Sequence, residues 1–394
     1  MLHLTVQLSS GMLAGQLAQE FQLEAISMAV LMGMVFYPNI LLQIPAGIVT
    51  DRFGVRKVLS TGAFVCAIGA YGFAHSYTFY QACFFRFWMG AGLSFSFVSM
   101  AYLMANWMPR DSFSMMFSIA EMIALTFTIF AMRFLSAWIS QGSWRIFVHS
   151  FSYVVLCLGI VVLLLVKDKP DHLEDMQKPL SMVDLLTQLK LFMKDIKMWA
   201  NGIYSGLLFT CLTCFVAQWG PIFLSEATTM NLDDAVSMCT MITFGLIVAC
   251  PLLSFVLPKV ENIHMILSLC ALVSSILLSA VVLFPMMNLM LMRVCLFIVG
   301  FCSVGYLVPF TIAHYYVRPG SKSTAIGFTN MLATIFGPMI SFFIAVIVDF
   351  FGKQPYTLND YQLGLYLLPI SMFFASMICF LMPGTHKPGR NDDI

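Results

Sequence analysis

Four ionisable side chains lie inside long apolar stretches of this sequence: Arg86, Glu121, Arg133 and Arg293. Two arginines that face one cavity could clamp a carboxylate or a phosphate with paired hydrogen bonds. A carboxylate in a partly dry cavity could take up and release a proton, because desolvation favours its neutral form. These residue types predict a site that binds an anion and moves a proton. Two alternatives stay open: each arginine could bond helix carbonyls in its own part of the fold, and Glu121 could form a permanent ion pair with Arg86 or Arg133.

The composition indicates that these side chains lie in a membrane protein. Of 394 residues, 60% are hydrophobic and 10% are charged, and the mean hydropathy is +0.89. Soluble domains carry about 25% charged residues, so most of this surface must face lipid. The net charge of +1 gives no indication of nucleic acid as a partner. Most of the eleven cysteines fall in apolar stretches, where a thiol acts as a small apolar side chain. This includes the C-x-x-C pair Cys211 and Cys214, which predicts packing rather than redox chemistry.

A spanning helix needs roughly 20 mostly apolar residues, and the sequence contains eleven such stretches. Residues 1–17 are apolar but shorter, and we expect them to be the second part of a twelfth helix whose start is missing. A natural chain with a short first helix is the alternative. An ionisable side chain in the middle of such a helix costs at least ~2.5–3.5 kcal/mol, which favours a function for Glu121 and Arg86. Arg133 lies near the end of its stretch and could reach the interface instead. The predicted spans are about 24–49, 58–75, 79–105, 113–137, 146–166, 198–220, 234–257, 262–284, 287–315, 323–349 and 361–382.

The one long polar stretch, 167–197, predicts a linker between two bundles. We expect six helices in residues 1–166, six in residues 198–384, and a tail over 385–394. When the loops are assigned alternately to the two sides of the membrane, nearly all loop lysines and arginines lie on the same side as this linker. Arg145 and Lys353 lie on the other side. By the positive-inside rule, the linker and the C-terminus are predicted to be cytoplasmic, in the cell (inner) membrane.

A weak internal repeat supports two bundles. Glu121-Met-Ile-Ala matches Asn330-Met-Leu-Ala at an offset of 209 (330 − 121). Arg86 matches Arg293 at an offset of 207 (293 − 86), which places the two arginines at equivalent positions. Parallel six-helix repeats hold a substrate near the bilayer midplane, between the halves.

A motif follows the first complete span. It reads Gly47-Ile-Val-Thr-Asp51-Arg52-Phe-Gly54-Val-Arg56-Lys57, and it resembles the loop signature between helices 2 and 3 of the major facilitator superfamily. A second stretch, Arg86-Phe-Trp-Met-Gly90-Ala-Gly92, is similar to the R-x-x-x-G-x-G motif of that family. The resemblance implies an all-α membrane protein with the major facilitator fold, two six-helix bundles of which the first helix is N-terminally truncated.

The resemblance also implies a conformational latch. Asp51 and Arg52 would hold the cytoplasmic side closed in the outward-open state, with Arg110 as a partner for Asp51. Gly47 would let a neighbouring helix approach closely, Gly54 would allow a tight turn, and Arg56 would anchor the loop.

Two features refine the resemblance. The second-half copy of the loop motif has lost its Asp-Arg pair, and helix 5 lacks the Gly-Pro-rich motif of antiporters, which favours import by symport over drug efflux. The stretch from Phe36 to Gly47 resembles helix 2 of bacterial organic-anion symporters and nutrient transporters of intracellular bacteria.

The sequence thus predicts a monomeric, proton-coupled importer of a small organic anion, amino acid or carboxylate metabolite, without a cofactor or metal, and with Glu121 as the proton carrier. A facilitator or exporter of the same fold and a non-transporting receptor are the alternatives. An enzyme is disfavoured because H-E-x-x-H, G-x-S-x-G and metal-spaced histidines are missing from the sequence. The predicted substrate-binding residues are Arg86, Arg293, Tyr37, Gln43, Gln218, Asn330 and Tyr306. Other polar residues of the cavity-lining helices are Gln7, Ser10, Tyr204, Thr210, Thr213 and Thr240.

Overall fold

The computed structural model shows a bundle of long helices. The described residues contain eleven continuous helical spans that are long and apolar enough to cross a membrane, which confirms the predicted number. Several of these spans consist of two or more consecutive helices. Gln7 and Ser10, predicted to line the cavity, and the predicted latch residue Arg110 lie outside the described residues, as does the side chain of Arg133. The structure describes residues 6, 13, 16–17, 20–23, 25–109, 112–141, 144–168, 181–228, 230–260, 262–317, 321–352 and 357–384, without the side chains of 25, 26, 28, 29, 132–141, 182, 254 and 258.

Six helices are described in the first half of the chain. They are α1 (Ala25–Gly33), α2 (Phe36–Phe53), α3 (Val55–Ala74), α4 (Phe79–Trp107), α5 (Phe113–Gln141) and α6 (Trp144–Leu165). The amphipathic helix α7 (Met182–Lys194) lies within the predicted linker.

The second half repeats this order with more interruptions. It contains α8 (Ile196–Thr210), a π-helix (Cys211–Trp219), α9 (Gly220–Ala227), α10 (Leu232–Val256), α11 (Ile263–Leu283), α12 (Leu289–Ser303), a 3₁₀ turn (Val304–Leu307), α13 (Val308–Tyr316), α14 (Lys322–Phe351), α15 (Leu358–Leu365) and α16 (Leu367–Ile378). The predicted boundaries of the two bundles, the linker and the tail stay a prediction.

Polar residues at the short loops set where several helices begin. The side chains of Thr78, Asn231 and Asn288 accept hydrogen bonds from backbone N–H groups in the first turns of α4, α10 and α12. Each supplies an acceptor to an N–H group that has no partner within its own helix. Local sequence therefore fixes these helix starts.

The two halves share one helix register. Helix α5 begins at Phe113 and α14 at Lys322, an offset of 209 (322 − 113), and α4 begins at Phe79 and α12 at Leu289, an offset of 210 (289 − 79). The structure therefore supports the predicted duplication.

The hydrophobic core is joined at one end of the molecule and divided at the other. We call the end that carries Asp51–Lys57 and Lys322 the basic end, and the other end the opposite end. One core cluster contains the second half together with four residues of the first, Ala101, Phe113, Phe117 and Leu125. Three of them lie near the basic end, and Leu125 lies about three turns further along α5. A separate cluster fills the first half towards the opposite end, around Phe73 and Trp144. Among the described residues, the two halves are thus sealed together at the basic end and separate towards the opposite end.

Candidate functional site

A carboxylate from the first half caps a helix of the second half at the basic end. Asp51 accepts hydrogen bonds from the backbone N–H groups of Ser323 (3.3 Å) and Thr324 (2.9 Å), and from the Thr324 hydroxyl (2.8 Å). The residue that precedes α14, Ser321, makes no side-chain cap of its own. A negative charge at a helix N-terminus is favoured by the helix dipole. Asp51 therefore supplies the cap that α14 lacks locally, and the cap exists only while the halves are together.

Two glycines let α2 and α14 approach this closely. A Cβ atom on Gly47 would lie 2.7 Å from the Ser323 carbonyl oxygen and 2.8 Å from the Thr324 Cα. A Cβ on Gly327 would lie 2.6 Å from the Gln43 carbonyl oxygen. These contacts are with backbone atoms, which cannot rotate away as a side chain can. Any larger residue at either position must push the halves apart.

The turn after Asp51 is tied to α6 and the start of the linker. Gly54 has φ +82°, a conformation that favours glycine. The backbone N–H of Arg56 donates to Asp168 (2.7 Å), and its Nε donates to the Leu163 carbonyl (2.6 Å). Arg52 is exposed. The loop is thereby fixed to its own half, so that it can present Asp51 rigidly.

Five aromatic rings from both halves close the interior beside this cap. Phe310 packs on Phe97 and Phe117, with centroid distances of 5.0 and 5.4 Å, and His314 stacks on Phe113 at 3.9 Å with planes 5° apart. Aromatic pairs add about 0.5–1.5 kcal/mol beyond their buried area. We call these five residues the ring cluster. It packs the two halves against each other near the basic end.

Deeper in the molecule, a hydrogen bond joins the two halves. The hydroxyl of Tyr306 donates to Glu121 Oε1 at 2.8 Å, and both side chains are buried. Tyr306 lies in the 3₁₀ turn before Pro309, which has no N–H to continue the helical ladder. Side chains of α8 satisfy two carbonyls there: Ser205 donates to Tyr306 O (2.8 Å) and Asn201 to Pro309 O (2.9 Å). Hydrogen bonds from α8 thus stabilise the 3₁₀ turn, while Tyr306 in that turn donates a hydrogen bond to the other half.

A group of buried amides lies between α2 and α14. Gln43 Nε2 donates to Asn39 Oδ1 at 2.6 Å, and Asn330 lies one turn after Gly327, whose backbone contacts Gln43. Gln43 Oε1 and Asn330 Nδ2 are buried, and no described residue gives either atom a hydrogen bond. An unsatisfied buried polar group costs about 1–3 kcal/mol. These two atoms, an acceptor and a donor, therefore have hydrogen-bonding capacity that the described residues do not use.

The predicted arginine clamp is not formed in this structure. Arg86 is 2% exposed and lies over the ring of Phe73, 5.2 Å from its centroid, within the first half. Arg293 is exposed. With an offset of 210 between α4 and α12, the equivalent of Arg86 is the buried Leu296 rather than Arg293. Arg86 is buried within the first half and Arg293 is exposed, so this structure does not bring the two side chains together.

Arg86 also borders a cavity of about 20 Å³. That volume admits about one water molecule, so it cannot hold an organic substrate.

The other predicted lining residues are dispersed. Tyr37 is 45% exposed, and Gln218 is exposed and accepts a hydrogen bond from Ser341. Gln218 lies in the π-helix, a distortion that often marks functional sites. Structural hydrogen bonds to backbone carbonyls are made by Tyr204, Thr210, Thr213, Thr240 and Cys214, to Leu267, Leu207, Phe209, Val236 and Gly337 respectively.

The partners of the latch and the ring cluster were not predicted from the sequence. Ser323 and Thr324 act mainly through backbone groups, for which side-chain identity gives no signal. The rings of Phe97, Phe117 and Phe310 cannot be told from lipid-facing aromatics by composition. Asn39, four residues before Gln43 on one helix face, carried a usable signal because two amides at this spacing inside an apolar helix are uncommon.

Comparisons with known proteins agree with this architecture. The family model described as Major Facilitator Superfamily matches residues 1–342. The chain is 21% identical to the probable galactarate/D-glucarate transporter GarP of Escherichia coli K12 over 422 aligned positions, which cover 93% of this chain and 88% of GarP. Its fold is similar to that of the E. coli fucose:proton symporter FucP, with TM-score 0.65, 16% identity, and 97% of each chain covered. It is also similar to a bacterial homologue of the human lysosomal transporter Spinster, with TM-score 0.64, 14% identity, and 96% and 93% covered.

The family match spans most of the chain, and it agrees with eleven apolar helices, a duplicated register and two halves that meet around buried polar groups. The chain is therefore a multi-pass membrane transporter, not an enzyme, and it belongs to the Major Facilitator Superfamily.

Proposed function

We propose that this transporter takes up a small hydroxylated organic compound, such as a sugar acid, together with a proton, by alternating access. In this proposal the basic end faces the cytoplasm of the cell membrane, as the distribution of lysine and arginine favours. The observation that carries the proposal is the hydrogen bond between Tyr306 and Glu121, which places a buried ionisable group on the boundary between the halves.

Glu121 is the proposed proton carrier because its protonation would weaken that boundary. A hydrogen bond to a carboxylate is roughly twice as strong as one between neutral groups. When Glu121 is ionised, the bond from Tyr306 helps to hold the halves together at the basic end. When Glu121 is neutral, the bond weakens, and the carboxyl is also less costly to keep in an apolar interior. Proton uptake from the opposite end would thereby promote opening towards the cytoplasm.

The arrangement of the cores supports alternating access. Asp51, the ring cluster and the Tyr306–Glu121 bond all join the halves towards the basic end. Accessible Tyr37 and Gln218 lie in the part of the molecule where the cores are separate. We infer that this structure represents a state closed to the cytoplasm. Opening requires loss of the Asp51 cap and separation of the rings.

The buried amides support the class of substrate. Gln43 Oε1 can accept a hydrogen bond and Asn330 Nδ2 can donate one, and a hydroxyl group can serve both. The names of GarP, a probable galactarate/D-glucarate transporter, and of FucP, a fucose:proton symporter, agree with a hydroxylated substrate. We propose that these amides recognise hydroxyl groups on the substrate. The prediction that the substrate is an anion is not supported by an arginine pair in this structure.

Uptake into proteoliposomes tests the proposal. The probes are radiolabelled galactarate, D-glucarate and L-fucose, with the outside made acidic relative to the inside. We expect at least one probe to accumulate in the parent protein. Glu121→Gln keeps an acceptor for Tyr306 but cannot carry a proton. It should therefore lose accumulation driven by the pH gradient and retain exchange of labelled for unlabelled substrate.

Glu226→Gln is the matched control, since Glu226 is an exposed carboxylate on α9. It should accumulate the probe as the parent does. Proton-driven accumulation by Glu121→Gln at the parental level would remove Glu121 from the coupling step. Uptake by the parent that ignores the pH gradient would instead indicate a facilitator.

A further inference from the structure

Two histidines face each other on the outer surface of the first half, at the opposite end. His75 follows the last residue of α3, and His149 lies in the second turn of α6. Their Nε2 atoms are 3.4 Å apart, whereas their ring centroids are 4.7 Å apart with planes at 62°. The nitrogens are therefore on the facing edges of the two rings. Neither the transport pathway nor the latch uses this pair.

The protonation of one ring is fixed by its partner. His75 Nδ1 lies 2.8 Å from the carbonyl oxygen of Tyr71. A carbonyl can only accept, so Nδ1 carries the proton and Nε2 presents a lone pair to His149. A histidine that binds a metal through one nitrogen usually donates its other N–H to a carbonyl or carboxylate. His75 already has this arrangement.

The separation of the nitrogens fits a bridging ion better than a direct hydrogen bond. Hydrogen bonds from N–H donors usually span 2.7–3.2 Å, which is shorter than the observed 3.4 Å. Two imidazole nitrogens at 2.0–2.1 Å from a tetrahedral zinc ion lie about 3.3 Å apart. A square-planar ion would bring neighbouring ligands to about 2.8 Å. The spacing therefore favours tetrahedral coordination.

The surroundings can accept a cation and supply water. The pair sits at the C-terminal end of α3, where the carbonyls of Ala74 and Ser76 accept hydrogen bonds from Arg145. The nearby cation Arg145 is balanced by Glu20, at 2.5 Å. A shallow cavity of about 370 Å³ adjoins His75. Among the described residues there is no group of three or more potential ligands, so water would complete the coordination.

We propose that His75 and His149 form a two-histidine site for a divalent transition metal ion of zinc type, which clamps α3 to α6. These helices belong to one half and pack along their lengths, so the ion would stabilise that half without blocking the movement between halves.

Isothermal titration of the purified full chain with Zn²⁺ tests the proposal. We expect one ion per chain with a micromolar dissociation constant. His75→Gln and His149→Gln should each weaken binding at least tenfold. His149→Cys, which restores a zinc ligand, should retain binding. The control is His264→Gln, at the basic end, which should bind like the parent. Melting temperatures without zinc show that each variant is folded.

Parental binding by both glutamine variants would overturn the site, as would equal losses in His264→Gln. Absence of zinc binding by the parent would show that the pair is only hydrogen-bonded. Loss of binding in His149→Cys as large as in His149→Gln would show that His149 does not act as a metal ligand. Because the readout is zinc binding, the result is independent of the substrate and of proton coupling.

Discussion

Asp51→Asn is the most direct test of the inter-half latch. The carboxylate accepts three hydrogen bonds from Ser323 and Thr324 at the N-terminus of α14. Asparagine keeps the size and one acceptor oxygen but removes the charge. Hydrogen bonds to charged groups contribute about 1.5–3 kcal/mol and neutral ones about 0.5–1.5 kcal/mol, and the charge at the helix terminus contributes a further ~0.3–1 kcal/mol.

These contributions predict that Asp51→Asn destabilises the state with the basic end closed by about 2 kcal/mol relative to the state with that end open. The equilibrium between the two states then shifts roughly 30-fold towards the open state. Hydrogen–deuterium exchange with mass spectrometry measures this shift without labels. The amides of Ser323 and Thr324, whose acceptor is Asp51, should exchange roughly 30-fold faster, since exchange reports the free energy of local opening. Peptides of α3 should be unchanged, because they lie within one half.

Asp184→Asn is the matched control. Asp184 forms a capping box with Ser181 at the start of α7. The substitution therefore removes the same charge from a helix start, but the hydrogen bonds that it affects lie within one helix and do not join the halves. Its effect should be confined to α7. If Asp51→Asn leaves exchange at the start of α14 within threefold of the parent, the carboxylate does not hold the halves together and the latch reasoning fails.

Four further substitutions test other parts of the structure. Tyr306→Phe removes the donor to Glu121 and leaves a buried carboxylate without that partner; we expect a loss of about 1–3 kcal/mol from the closed state, seen as faster exchange at the start of α14 and slower proton-driven uptake. Gly47→Val places a branched side chain against backbone and should lower the melting temperature and open the basic end; a parental melting temperature and exchange pattern would contradict the close approach. Arg293→Ala should change stability by no more than about 0.5 kcal/mol, whereas Arg86→Ala, at a buried position, should destabilise clearly; equal thermal shifts would show that the two arginines have similar environments after all.

The two arginines, which the structure does not bring together, illustrate what repeat spacing alone leaves undetermined. The offset of 207 between Arg86 and Arg293 differs by three from the offset of 210 between the first residues of α4 and α12. A difference of three residues is small along the chain but changes the face of a helix. Glu121 and Asn330, at 209, do match the offset between α5 and α14, and both are buried at the boundary between the halves.

The amino-acid sequence by itself determined the membrane class, the number of spans and the duplication, because apolar length and repeat spacing are properties of the chain. It also indicated a special role for Asp51, since a carboxylate at the end of an apolar helix needs a compensating partner.

Only the tertiary structure decided what that partner is, which rings meet across the halves, and that Arg86 is buried whereas Arg293 is exposed. Those contacts join residues that are more than 170 positions apart and depend on the rotation of each helix, and side chains on opposite faces of a helix can be neighbours in sequence. The physical reason is that apolar helices satisfy their own backbone groups, so their mutual arrangement is set by close packing and a few buried polar contacts.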